Sequence, residues 1–224
     1  MSEKATVSAI VVSYHTGPRL HECLYALRSD PDVSEIILGE FLLVINPDAV
    51  IRRGSIGPMM AALAGAADPA LAGGKIFDTR GREERGCRRN TLTIWRALGI
   101  GKWTLETEPA PTGPIHVGAV SGAFFLMSRK AFRRIGGFDE AYFLHVEDVD
   151  LCRRVIDSGG HVIYQPLAGA LHYGSTSDAP SAVVQAHKAK SLARYFRKFA
   201  KGPVDRLVAA LVTPLFGLAL KLRG

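Results

Sequence analysis

The run Val7-Ser-Ala-Ile-Val-Val-Ser13 limits the fold more than any other stretch, because it is short, β-branched and almost continuously apolar. Apolar residues at successive positions put hydrophobic groups on both faces of a strand, the condition of a parallel strand covered by helices. Gly17-Pro18 ends the run, and Leu20, Cys23, Leu24 and Leu27 then recur at helical spacing as far as Ser29-Asp30-Pro31. Ile36-Ile37-Leu38 and Phe41-Leu42-Leu43-Val44-Ile45 follow as two further strand-like runs. Strand, helix and strand in this order predict an α/β domain.

Beyond the turn-forming Asn46-Pro47-Asp48-Ala49, the pattern predicts a helix over Ser55 to Ala66 and a strand over Leu71 to Phe77, then a basic, Gly-punctuated stretch from Arg80 to Asn90. Ala123 to Met127 reads as a strand, Lys130 to Ile135 as a short helix stopped by Gly136-Gly137, and Glu147 to Ser158 as a helix stopped by Gly159-Gly160. His161 to Tyr164 reads as a closing strand, and Ser181 to Phe199 as a helix rich in Lys and Arg. The last piece, Val204 to Arg223, has an apolar centre interrupted by Pro214 and flanked by Lys201, Arg206, Lys221 and Arg223. It is short for a bilayer span. An apolar body with basic ends fits a helix lying in the interface of an anionic membrane; the alternative is a helix docked on the domain's own core. The expected division is an α/β domain over residues 1–200 and an amphipathic C-terminal helical tail over 201–224.

With 224 residues, 47% of them apolar, the chain can bury one sizeable core and carry an appendage, and it is not a disordered polymer. The formal charge of +7 suits a partner that carries phosphates. There is no RNA-binding aromatic motif, no paired Cys/His zinc spacing and no long Lys/Arg run, so nucleic acid is not expected. Cys23, Cys87 and Cys152 are odd in number and widely spaced, which favours a reducing compartment. The first residues, Met1 to Thr6, show no secretory pattern, and a cytoplasmic protein is expected.

Chemistry concentrates in Phe143-Leu-His-Val-Glu-Asp-Val-Asp-Leu-Cys-Arg-Arg154, where Glu147, Asp148 and Asp150 crowd into four positions. Neighbouring carboxylates raise one another's proton affinity, which suits one of them to act as a base. Equally, acids in a first helical turn favour the positive end of the helix dipole, and Asp150 can pair with Arg154 one turn on. Asp48 stands where an apolar strand ends, the place where ligands gather in open α/β sheets. Its carboxylate suits Mg2+ or Mn2+, which take one or two protein carboxylates and complete their shell with phosphate oxygens. Otherwise, Asn46-Pro47 is a plain turn and Asp48 caps the next helix.

Six ordered segments make a more specific pattern: Val11-Val-Ser-Tyr-His-Thr16, Leu43-Val-Ile-Asn-Pro-Asp-Ala49, Val120-Ser-Gly-Ala123, Gly136-Gly-Phe-Asp-Glu140, the Glu147-Asp148 segment and Leu171-His-Tyr-Gly-Ser175. From about Val7 to Phe199 the chain resembles the family-2 glycosyltransferases of the GT-A fold, and most closely their rhamnosyltransferase-like branch. The resemblance implies a Rossmann-like α/β domain with a mixed, mostly parallel central sheet flanked by helices. It implies an inverting, metal-dependent transfer of a sugar such as rhamnose from a nucleotide-diphosphate donor to a polyprenyl-linked or other glycan acceptor. Such a protein works at the inner face of the cell membrane, and the C-terminal helix is its expected contact with the anionic surface. By the same resemblance Asp48 and His172 are metal ligands, and Ser13, Tyr14, Asn46 and Asp48 contact the donor. Asp148 is the base that takes the acceptor's proton. Ser121, Gly122, Gly137, Phe138, Asp139, Glu147 and Asp150 border the sugar and acceptor pocket.

One departure bears on all of this. In the family, the strand matching Glu35 to Leu38 leads into an acidic turn that recognises the nucleotide, and a long helix-bearing connection follows. Here only Gly39-Glu40 separates that strand from Phe41. Two residues cannot form a parallel crossover, which needs a dozen or more. The strands must fuse, fold as a hairpin, or flank a segment absent from this chain, and the clean match on both sides points to the last. A non-catalytic relative that binds glycan or membrane without donor is therefore the alternative function.

Overall fold

The computed structural model describes residues 7–11, 19–30, 41–173 and 181–221. Strand β1 (Val7–Val11) leads through helix α1 (Arg19–Ser29) to β2 (Phe41–Ile45), and β1 and β2 pair in parallel with Val7 opposite Phe41. The helix-bearing connection thus supplies the crossover that parallel neighbours require. Ile36 to Leu38 and the Gly39-Glu40 join lie outside the described residues.

The chain continues through β3 (Ala49–Ile51), α2 (Ile56–Ala64), β4 (Ala70–Phe77), β5 (Arg88–Arg89) and α3 (Ile94–Leu98). Then come β6 (Ile115–His116), β7 (Ala119–Val120), β8 (Phe124–Ser128), α4 (Arg129–Arg134), α5 (Glu147–Asp157) and β9 (His161–His172). Helices α6 (Ser181–Lys198) and α7 (Pro203–Lys221) complete it. Among the described residues the main sheet has seven strands in the order β1-β2-β8-β4-β9-β3, with β6 also on β9; β5 and β7 form a small second sheet. Strands β1, β2, β4 and β9 share one direction, while β8, wedged between β2 and β4, opposes them, as do β3 and β6.

Burial follows the apolar runs. Leu43, Val44 and Ile45 of β2 and Phe124 to Met127 of β8 are all buried, so these strands are covered on both faces. Gly73 in β4 reflects how closely the small sheet packs: a Cβ there would lie 2.5 Å from that of Val120. Two expectations need correcting. A strand, β3, follows Asp48 where none was expected, and the closing strand runs on from Tyr164 to His172. The bend at Gln165 to Gly169 is a bulge: Gln165 pairs with Gly74 and Gly169 with the next residue, Lys75, so the intervening residues leave the ladder without ending it.

Helix α7 packs on α6 and α3, and Ala209 and Val212 join the core. Among the described residues no helix is long and apolar enough to cross a membrane.

Candidate functional site

Strand β2 ends beside the start of β8, with Ile45 paired to Phe124 and the Asn46 N–H donating to the Ala123 carbonyl at 3.0 Å. Leaving the sheet, Asn46 to Ala49 forms a turn closed by the Ala49 N–H on the Asn46 carbonyl at 3.0 Å. The chain then enters β3, which pairs Ala49 with His172, and the Tyr173 N–H donates to the Asp48 carbonyl at 3.0 Å. Asp48 therefore caps no helix; α2 starts only after Ser55.

This ladder sets the side chains of Asp48 and His172 against each other, with Oδ1 and Nε2 3.1 Å apart. Asn46 Nδ2 lies 3.3 Å from the same Nε2, and on the far side of the ring His172 Nδ1 meets Glu84 Oε2 at 2.9 Å. Burial alone would lower the proton affinity of His172, but hydrogen bonds to Asp48 and Glu84 outweigh it and raise the pKa to about 9. Without an ion, the two carboxylates favour a protonated ring; an ion at Nε2 would take the place of that proton.

Neighbouring ligands on an octahedral cation with bonds of about 2.1 Å stand about 3 Å apart, and the Asp48–His172 separation matches that spacing. Among the described residues no three His, Cys, Asp or Glu side chains converge on one point in a way that holds an ion. The geometry explains why: Glu84 bonds the nitrogen that faces away. Two protein donors would suit a cation that takes its other ligands from substrate oxygens. Glu84 then has the place of the outer carboxylate that orients a metal-binding histidine. A cleft of about 490 Å3 lined by Glu22, Tyr25, Ala26, Val50 and Tyr173 adjoins this turn.

A second cluster faces the same strand ends. His145 and Val146 both adopt left-handed backbone, φ 64° and 73°, immediately before α5. Non-glycine residues pay for that conformation with about 1–3 kcal/mol each, so the turn is held by its surroundings. It delivers Glu147 and Asp148 to the positive end of α5. Asp148 is almost fully committed: Oδ2 accepts from Arg89 Nη2 at 2.5 Å and from the Gly122 N–H at 2.9 Å, and Oδ1 accepts from the Val149 N–H at 2.7 Å. A Cβ on Gly122 would sit 3.1 Å from that of Asp148, so the small residue there serves the approach of this carboxylate. Arg89 is buried, donates also to the Val120 carbonyl at 2.6 Å and lies over the Trp103 ring.

The two acids consequently differ. Burial pushes Asp148 up, but the Arg89 guanidinium and the backbone N–H donors outweigh it and hold the carboxyl below the ordinary range. Burial and the adjacent Asp148 charge push Glu147 up to about 7, and its Oε2 has no hydrogen-bond partner among the described residues. The raised proton affinity expected of crowded carboxylates thus falls on Glu147.

Of the predicted residues, Asn46, Asp48 and His172 converge on one side, and Ser121, Gly122, Glu147 and Asp148 on the other, joined through the Asn46–Ala123 bond. Ser13 and Tyr14 lie outside the described residues. Gly137 packs against Phe132, and Phe138 stacks edge-on to Phe125 and Phe132. Asp139 is gripped by Arg194 at 3.0 Å and Lys198 at 2.7 Å, and Asp150 is buried among Tyr142, Arg154 and Lys198. These four tie α4, α5 and α6 together. Glu84 and Arg89 were missed: each lies in the basic stretch after β4, and its partner is distant in sequence.

Known proteins resemble this chain in sequence and in fold. A family model described as the N-terminal domain of galactosyltransferase matches residues 108–173. The N-acetylglucosaminyl-diphospho-decaprenol L-rhamnosyltransferase of Mycobacterium tuberculosis is 30% identical over 168 residues, 70% of this chain and 55% of that protein. Rhamnosyltransferase WbbL of Escherichia coli is 37% identical over 76 residues, covering 34% of this chain and 28% of its own length. The chain thus spans about half the length of its mycobacterial relative. In fold it is similar to the mannosyltransferase PcManGT of Pyrobaculum calidifontis, solved with GDP-Man and Mn2+ (TM-score 0.56, 14% identity, 99% of this chain and 74% of that one). It is also similar to GalNAc-T7, solved with UDP, GalNAc and Mn2+ (TM-score 0.53, 12% identity, 83% and 35%).

Proposed function

From its membership of the rhamnosyltransferase-like, family-2 glycosyltransferases of the GT-A fold, we propose that this chain transfers a sugar, with inversion, from a nucleoside-diphosphate donor to a lipid-linked glycan. The observation that carries this is the convergence of Asp48 with His172 on one side of the β2 and β8 ends and of Glu147 with Asp148 on the other. Asp48 and His172 would hold Mg2+ or Mn2+, which when bound supplies charge neutralisation at the departing diphosphate. Asn46 lies beside His172 Nε2, within reach of the same ligand oxygens.

The acceptor hydroxyl oxygen attacks the anomeric carbon, the bond from that carbon to the diphosphate oxygen breaks on the opposite face, and the hydroxyl proton passes to a carboxylate. Proton acceptance of this kind contributes about 10²–10⁴-fold. Asp148 is the base by family resemblance. The unpartnered Oε2 and raised proton affinity of Glu147 favour a second assignment, in which Arg89 fixes Asp148 as a permanent anion and Glu147 receives the proton. The outward face of α7 is our proposed contact with the anionic membrane that carries the acceptor.

The join at Gly39-Glu40 supports a different function: a relative that binds glycan or membrane but no donor. Calorimetric titration with a panel of nucleoside diphosphates, each with and without Mn2+, separates the two. Metal-dependent binding of one nucleotide is expected, and binding of none would overturn the enzyme.

A further inference from the structure

Among the described residues nine large apolar side chains stand out into solvent, and five of them, Trp95, Ile100, Val204, Leu207 and Leu211, belong to α3 with its C-terminal turn and to α7, which pack together. The α3 corner is built to show them. Gly99, at φ 95°, ends the helix with its N–H on the Arg96 carbonyl at 3.0 Å, while the Ile100 N–H bonds the Trp95 carbonyl at 2.8 Å. This paired turn places Ile100 beside Trp95, the hydrophobic contact usual for such a helix end. Both side chains nonetheless remain 62% exposed. On α7, Val204, Leu207 and Leu211 fall at i, i+3 and i+7 and line one stripe, opposite Ala209 and Val212, which face the core. Lys201 and Arg206 are exposed at the same end of the helix, where Asp205 is the single acid and accepts the Lys201 N–H.

We infer that the Trp95–Ile100 corner and the outer stripe of α7 form one surface that rests on an anionic lipid bilayer. The proposal extends the membrane contact suggested for α7 to a second element, and it rests on the acceptor being lipid-linked. An apolar patch of this concentration marks an interaction site rather than scattered exposure. A tryptophan at its margin and exposed cations at the same end of α7 match the amphipathic and electrostatic character of a headgroup layer. Among the described residues no helix can cross the membrane, so contact is lateral.

The full chain is mixed with phosphatidylcholine vesicles, with and without phosphatidylglycerol and with and without brominated acyl chains. Tryptophan emission should shift to the blue and be quenched by bromine only with the anionic vesicles. Trp95→Phe should remove the quenching, since Trp103, the other tryptophan, packs against the core. Ile100→Glu and Leu207→Glu should each weaken co-sedimentation about tenfold. Quenching that survives Trp95→Phe, or binding unchanged by Ile100→Glu, would overturn the α3 contact while leaving α7 as an anchor. No binding to anionic vesicles, or a blue shift that appears without lipid and grows with protein concentration, would overturn the whole surface. Binding of Mn2+ and nucleotide, measured on the same samples without vesicles, reports separately on the enzyme.

Discussion

Stability of the metal-free protein should fall steeply as the pH rises from 6.5 to about 9, and His172 is the cause. Its side chain is 15% exposed and lies between Asp48 and Glu84 at 3.1 and 2.9 Å. The ordinary value of 6.5 rises to about 9 in the fold. A cationic group whose affinity for its proton is higher folded than unfolded stabilises fully below the unfolded value and loses that contribution as pH climbs through the folded one. At about 1.4 kcal/mol for each pH step, the span corresponds to about 3 kcal/mol, a large share of a typical domain's stability. The window overlaps only the top of that of Glu147, raised from 4.5 to about 7, and it closes where those of Cys87 and Cys152, pushed from 9.0 up to about 12, open. Urea unfolding at a series of pH values, with chelator present, measures the effect. His172→Gln should flatten the curve in this window, and Glu84→Gln should leave an intermediate slope because Asp48 remains. A wild-type decline below about 1 kcal/mol, or an equal decline in His172→Gln, would refute the reasoning.

The remaining expectations concern the site's other groups. Glu84→Gln should weaken Mn2+ binding, read by electron paramagnetic resonance, about 10–100-fold, the usual effect of losing a carboxylate behind a metal-binding histidine. If Glu147 takes the proton, Glu147→Gln should abolish the acidic limb of the pH–rate profile, whereas Asp148→Asn should lower the rate without removing that limb; the reverse pattern would return the role to Asp148. Arg89→Leu leaves Asp148 buried without its cation and should destabilise the fold by about 3–5 kcal/mol in denaturant titration, and Arg89→Leu with Asp148→Leu should recover much of that loss.

Strands buried on both faces were legible because each of their residues must be apolar, as in Leu42 to Ile45 and Phe124 to Met127. Helix ends at Gly136 and Gly159 were legible too, since both glycines adopt positive φ just past the helix. Strand β9 runs past the Tyr164 expected from sequence, because the bulge opposite Gly74 and Lys75 frees Pro166 from the ladder, so a residue without an N–H is tolerated. The motifs at Asp48, His172 and Asp148 stood out in sequence, but their partners did not. Arg89 reads as one of many cations in a polar stretch, and only folding buries it against a carboxylate 59 positions away. Glu84 carried no local signal, because its meaning depends on a ring 88 positions distant.

The β3–β9 ladder has a use beyond holding the pair together. Main-chain bonds at Ala49–His172 and Tyr173–Asp48, rather than side-chain packing, set the separation of positions 48 and 172. Side chains there can accordingly be exchanged while their attachment points stay put. Swapping Asp48 for histidine, or His172 for cysteine, would grade the proposed donor set from hard oxygen towards softer nitrogen and sulfur, which favour cobalt or zinc over magnesium or manganese. If the pair holds an ion as proposed, its preference would be open to engineering one residue at a time on an unchanged backbone.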